Sequence, residues 1–181
     1  MTAPTTRASD FWWSGDRSEK YWIEQLRTDE YGDRLIAPDT STYATMHGVE
    51  VGDLVMRWYS ERHPEAGPRR GGIYAVSRVI GRVRSSRDLW DGQECLEIPL
   101  TRRTFLRRPI YLNDLKKLQK QLEANRDGLS RRAASAALYS PWQFPATGLK
   151  PMTRYLTKLT TEDLELIVAD HPHLATAMTR A

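Results

Sequence analysis

Only one cysteine, Cys95, occurs in 181 residues, so the chain has no internal disulfide and no thiolate pair to hold zinc. It lies in a strand-like run and is expected to be a buried structural thiol in a cytoplasmic setting. Long apolar runs are missing, which excludes a membrane-spanning helix, and Met1 to Arg7 lack the apolar stretch of a secretory leader. Histidine is sparse. His47, His63, His171 and His173 show no ligand spacing, and neither a metal nor another cofactor is expected. There is no Gly-x-x-x-x-Gly-Lys-Ser/Thr loop, and Gly48 and Gly52 lead into a strand, which excludes the dinucleotide fingerprint. The acidic pairs Asp29/Glu30, Asp88/Asp91 and Glu162/Asp163 suggest no acid–base device, and the last reads as charge at a helix N-terminus. The chain is expected to be no enzyme.

What it has is arginine and aromatic rings. Net charge is only +4, but arginines come in pairs, Arg69-Arg70, Arg102-Arg103, Arg107-Arg108 and Arg131-Arg132, with Arg78, Arg82, Arg84 and Arg87 between them. Guanidinium forks match phosphate geometry, and a face of them supplies the salt-sensitive part of nucleic-acid binding. Six tryptophans are many for this length. Trp12 and Trp13, Trp58 and Tyr59, and Trp142 and Phe144 form clusters suited to stacking on a flat base or to filling a core.

The element pattern is mixed. Asp10–Trp13 reads as a short strand, and Ser18 caps a helix to about Arg27 whose stripe is Trp22, Ile23 and Leu26. Residues 31–42 read as loop. After Gly52 a strand puts Leu54, Met56 and Trp58 on one face and Val55, Arg57 and Tyr59 on the other. Ile73–Ile80 is a β-branched strand running on toward Arg84, and Glu94–Leu100 alternates as another. Pro109 ends the sheet region. Helices follow at Asn113–Ala124, with Leu112, Leu115, Leu118 and Leu122 as the seam, and at Ser130–Leu138. Arg154–Leu159 is the last strand, and Thr160 caps a helix to about Asp170. The order predicts an α+β fold: a small mixed β-barrel of five to six strands with peripheral helices. One domain is expected over residues 10–171, with tails at 1–9 and 172–181.

The segment order resembles the EVE domain of the PUA-like superfamily, whose relatives include YTH and ASCH domains. Val51-Gly52-Asp53-Leu54-Val55 leading to Trp58-Tyr59-Ser60 is similar to the family's Val-Gly-Asp strand. Gly72-Ile73-Tyr74-Ala75-Val76 into Val79-Ile80-Gly81 is similar to its glycine-led strand. Tyr155 to Leu164 resembles the closing strand-to-helix passage, and Phe11-Trp12-Trp13-Ser14 would take the place of the opening strand. The family's Trp-Asp-Gly-Val-Arg-Asn-Tyr loop is replaced by Thr42-Tyr43-Ala44-Thr45.

The resemblance implies a reader of a modified base, a cytosine or adenine in DNA ahead of RNA, flipped into an aromatic pocket, with any cutting left to a nuclease or other effector partner. Trp13, Ser14, Tyr43, Trp58, Tyr59, Ser60 and Trp142 are the expected pocket, and Arg69, Arg70, Arg82 and Arg84 the phosphate contacts. The rival readings are a PUA-like RNA binder, a hydrolase of modified nucleosides and a protein-interaction module.

Overall fold

Residues 18–27 are not the helix that the spacing of Trp22, Ile23 and Leu26 predicts: Tyr21–Leu26 is strand β1. Trp22 packs in one apolar cluster and Ile23 in another. Burial on both faces is what a pleated strand inside a fold gives, and an amphipathic helix does not. The computed structural model describes residues 11–28, 31–66, 71–87, 93–133 and 136–181. Further strands are Arg34–Pro38 (β2), Leu54–Tyr59 (β3), Gly72–Arg78 (β4), Arg84–Ser86 (β5), Cys95–Pro99 (β6), Thr104–Tyr111 (β7), Trp142–Gln143 (β8), Lys150–Pro151 (β9) and Leu156–Leu159 (β10). Helices are Leu112–Leu115 (α1), Gln119–Arg132 (α2), Thr161–Asp170 (α3) and His173–Arg180 (α4), with 3-10 turns at Ser41–Gly48 and Lys116–Leu118.

One sheet runs β10-β1-β3-β4-β7 and a second β2-β6-β5, with β8 and β9 as a separate pair. β1 and β3 are parallel and the other pairings antiparallel. A single bridge, Val79 to Leu100, joins the chain leaving β4 to the chain leaving β6 and so ties the two large sheets together. The fold class is mixed α+β, as the sequence predicts.

β3 is buried along its whole length. Leu54, Met56 and Trp58 face the helices, while Val55 packs among Trp22, Leu35 and Leu96 and Tyr59 closes a third cluster with Leu26 and Ala66. The alternation read from the sequence holds. The Val51-Gly52-Asp53 turn is structural. Gly52 sits at φ +96°, open to glycine at low cost. Asp53 Oδ2 accepts the Glu50 amide at 3.0 Å and the Trp22 indole N–H at 2.6 Å. At Gly72 a Cβ would lie 2.4 Å from the Ile110 carbonyl oxygen, so only glycine lets β4 and β7 approach here.

Other expectations change. Phe11–Ser14 is a turn, closed by Ser14 N–H donating to Phe11 O at 3.0 Å, and contributes rings instead of a strand. Residues 34–38, expected as loop, pair with β6 because Leu35 and Ala37 are buried on one face. Pro109 does not end the sheet: it lies in β7, an edge strand, where a missing donor is tolerated. The helix expected from Ser130 is the end of α2. Residues 172–181 are no tail, since Leu174 and Ala177 on α4 are buried in the main core against β7 and β4. Thr160 caps α3 as expected, its Oγ1 accepting the Asp163 amide at 3.0 Å. Cys95 is buried. The residues 1–9 lie outside the described residues. No helix among the described residues is long and apolar enough to cross a membrane.

Candidate functional site

Parallel pairing puts Glu24 of β1 directly opposite Arg57 of β3. Both side chains are 1% exposed, and Arg57 Nε lies 2.6 Å from Glu24 Oε2. The Tyr155 hydroxyl donates to Glu24 Oε1 at 2.7 Å and accepts the Ile36 amide at 2.9 Å. Burial and the adjacent carboxylate raise that phenol well above its ordinary pKa. Arg57 Nη2 donates to the Gly32 carbonyl at 3.0 Å. Arg103 donates to the same carbonyl at 3.0 Å and to the Tyr59 hydroxyl at 3.1 Å. A hydrogen-bonded chain thus runs from Tyr155 through buried Glu24 and Arg57 to the exposed Gly32 carbonyl, and from there through half-buried Arg103 to Tyr59. A network of this kind holds its members in one geometry.

At the other end Tyr59, itself 0% exposed beneath the His63 turn, is sandwiched. The His63 ring stacks on one face, 3.8 Å between centroids and 18° between planes, and Tyr74 is parallel at 4.7 Å and 10°. His63 is carried by a tight turn in which its amide donates to Ser60 O at 2.9 Å and its Nδ1 accepts the Glu65 amide at 3.2 Å. Tyr74 OH donates to Ala66 O, fastening the turn to β4. The sequence reading missed Glu24, Arg57, Arg103 and His63 as site residues. The available signal was a charge inside two largely apolar strands, Tyr-Trp-Ile-Glu-Gln-Leu and Leu-Val-Met-Arg-Trp-Tyr.

The seven expected pocket residues do not converge on one cavity. Tyr59 and Ser60 stand at the sandwich, Ser60 half-buried with its Oγ accepting the Arg62 amide at 3.3 Å. Trp58 and Trp142 are 1% and 2% exposed and meet edge-on at 5.9 Å in the main core. Trp13 is buried on the other side of the sheet, stacked on Phe11 at 4.5 Å, and Ser14 beside it is exposed. Tyr43, half-buried, touches Tyr155 edge-on at 6.1 Å. Strand alternation explains the split: Trp58 and Tyr59 are neighbours in sequence and therefore face opposite sides of β3. Of the expected phosphate contacts, Arg82 is exposed, Arg84 is 65% exposed while pairing with Glu97 at 2.8 Å, and Arg69 and Arg70 lie outside the described residues.

Two of the clefts among the described residues have charged or aromatic linings and open to solvent. One, of about 470 Å³, is lined by Tyr139, Ser140, Trp142, Phe144, Arg126 and Arg154 among others. The other, of about 820 Å³, is bordered by Asp16, Glu19, Glu50 and Asp53 with Arg17 and Lys20. Four carboxylates against two cations make the larger cleft a poor phosphate site. Beneath it Lys158 is buried, its Nζ 4.1 Å from the Trp22 ring centre and donating to Glu19 O. Burial brings its pKa down to about 8 despite the carboxylates around it. Because that value lies below the unfolded 10.5, the native state holds fewer protons than the unfolded chain between pH 8 and 10.5, and stability rises through that window. The rise is about 3 kcal/mol at most. Unfolding curves of wild type and Lys158→Met should differ by this slope and run parallel below pH 8. Parallel curves throughout would show that Lys158 keeps an ordinary pKa. Among the described residues no cluster of three metal-ligating side chains exists.

No family model matches the sequence, and no curated protein matches it. Solved structures do. The N-terminal domain of McrB from Staphylothermus marinus superposes with a TM-score of 0.50 at 12% identity, over 92% of this chain and 99% of that one. Rpa0253 from Rhodopseudomonas palustris gives 0.49 at 13% identity, over 86% and 94%. Human THYN1, solved in complex with 5-methylcytosine-containing DNA, gives 0.48 at 9% identity, over 83% and 97%. At such identities the likeness is one of fold alone, the fold of the McrB N-terminal domain.

Proposed function

We propose that this chain is a nucleic-acid-binding module that takes one flipped nucleotide, a modified cytosine or adenine in DNA, onto the face of Tyr59. The observation that carries the reading is the sandwich itself: the Tyr59 face already holds a flat nitrogen heterocycle, the His63 imidazole, at stacking distance. A base arriving there takes the place of His63, which leaves with its short turn. Ser60 and Arg103 stand at the ring edge to supply polar contacts, and Arg57 and Glu24 keep Tyr59's surroundings rigid. Stacking contributes about 1–3 kcal/mol per base, and extrusion from a duplex costs a few kcal/mol, so phosphate contacts must make up the difference. Arg82 is exposed for that role, Arg84 shares it with Glu97, and Arg69 and Arg70 follow the His63 turn in sequence. Cutting, where it accompanies binding, falls to a nuclease or other effector partner.

The test is a binding panel of duplexes and single strands, DNA and RNA, with methylated, hydroxymethylated and unmodified bases at two salt concentrations. Wild type should prefer a modified DNA duplex and lose affinity as salt rises. His63→Ala, which empties the slot, should tighten binding about fivefold or more, and Tyr59→Leu should weaken it at least tenfold, from the stacking magnitude above. Equal affinity for modified and unmodified DNA, together with no response to His63→Ala, removes the reading. Preference for unmodified single-stranded RNA moves the function to the RNA-binding class.

A further inference from the structure

We propose that the 470 Å³ cleft along residues 139–145 is a second nucleotide-binding site, separate from the Tyr59 sandwich and independent of the function assigned there. Its chemistry is aromatic and cationic. Tyr139 and Phe144 are half-exposed, unlike the core tryptophans, and each carries a guanidinium over its ring: Arg154 at 5.5 Å from the Tyr139 centre and Arg126 at 4.7 Å from that of Phe144. A guanidinium plane is itself a surface on which a base stacks, and it is a phosphate fork at its edge. Arg126 shares its charge with Asp127 at 2.7 Å and Glu123 at 3.7 Å, which leaves exposed Arg154 as the phosphate contact. Ser140 and Gln143 line the same cleft and offer donors and acceptors to a base edge.

The backbone is built for this presentation. Tyr139 is the one non-glycine among the described residues with positive φ, +49°, a conformation that costs an L-residue energy and persists only where the surroundings impose it. Here β10 imposes it, since the Lys158 amide donates to Tyr139 O at 2.8 Å, while Phe11 and Trp13 hold the ring edge-on at 5.8 Å each. Pro141 and Pro145 then keep the intervening segment extended. A volume of this size matches a nucleotide unit. The occupant is therefore a nucleoside phosphate, either free or as one unit of a single strand.

The experiment follows backbone amide NMR signals of the full chain during titration with dAMP, adenosine, inorganic phosphate and a short single-stranded oligodeoxynucleotide. Expected are shifts confined to residues 137–145 and 152–154 with dAMP, the oligonucleotide or both; the stronger of the two identifies the source. Arg154→Gln should weaken dAMP at least fivefold and adenosine far less, and Phe144→Leu should weaken both. Tyr59→Leu should leave the dAMP response intact, so the two sites fail or stand separately. Shifts with inorganic phosphate equal to those with dAMP, or none with dAMP and the oligonucleotide, overturn the proposal.

Discussion

Replacing Trp58 with alanine lowers stability by about 3–5 kcal/mol, the cost of emptying a tryptophan site in a packed core. The family resemblance points the other way, toward a pocket wall whose loss spares the fold, although strand alternation already placed Trp58 on one face with Leu54 and Met56. In the structure its ring is 1% exposed, faces the helices with Leu54 and Met56, and meets Trp142 edge-on. For a chain of this size each kcal/mol moves the melting temperature by roughly 2–4 °C, so a drop of about 6–20 °C is expected by calorimetry. Nucleic-acid affinity measured well below that temperature should stay within about threefold of wild type, because the proposed base contact is Tyr59 on the opposite face. A near-normal melting temperature with lost affinity would return Trp58 to the binding site and remove Tyr59 from it.

Trp58 also marks where sequence reading works and where it stops. Alternation through Leu54–Tyr59 assigned each side chain to its face, and Thr160 with Glu162 and Asp163 announced α3, because both signals are local. What covers each face is not local. It depends on β3 lying between β1 and β4, with helices on one side and the second sheet on the other. The same ignorance of partners made β1 look helical: Trp22, Ile23 and Leu26 fit a helical stripe, and only the pairing with β3 and β10 shows that Trp22 and Ile23 belong to different cores. The Val-Gly-Asp and Gly-Gly signals located the fold correctly but are explained by a left-handed turn and a close strand approach. His63 was invisible as a site residue. Its stacking partner lies four residues away, yet a polar loop sequence says nothing about which way the turn folds.

The second large effect concerns Glu24 and Arg57. Arg57→Met alone takes the guanidinium away from a buried carboxylate, and Glu24→Met alone takes the carboxylate away from a buried guanidinium. Each single change should destabilise by about 3–5 kcal/mol, because an uncompensated buried charge costs far more than a lost contact. The double change removes both charges together. The orphans it leaves are few: Gly32 O keeps its bond from Arg103, and the Tyr155 oxygen keeps the Ile36 amide. The double variant should therefore lie within about 1–2 kcal/mol of wild type, giving a coupling energy of several kcal/mol by denaturant unfolding of all four proteins. Two single losses that simply add would mean that the pair is not coupled. The same double variant separates stability from function. It removes one of the two guanidinium bonds that hold the Gly32 carbonyl, to which Arg103 reaches while also binding the Tyr59 hydroxyl. On the proposed reading, nucleic-acid affinity should then fall severalfold although the fold survives.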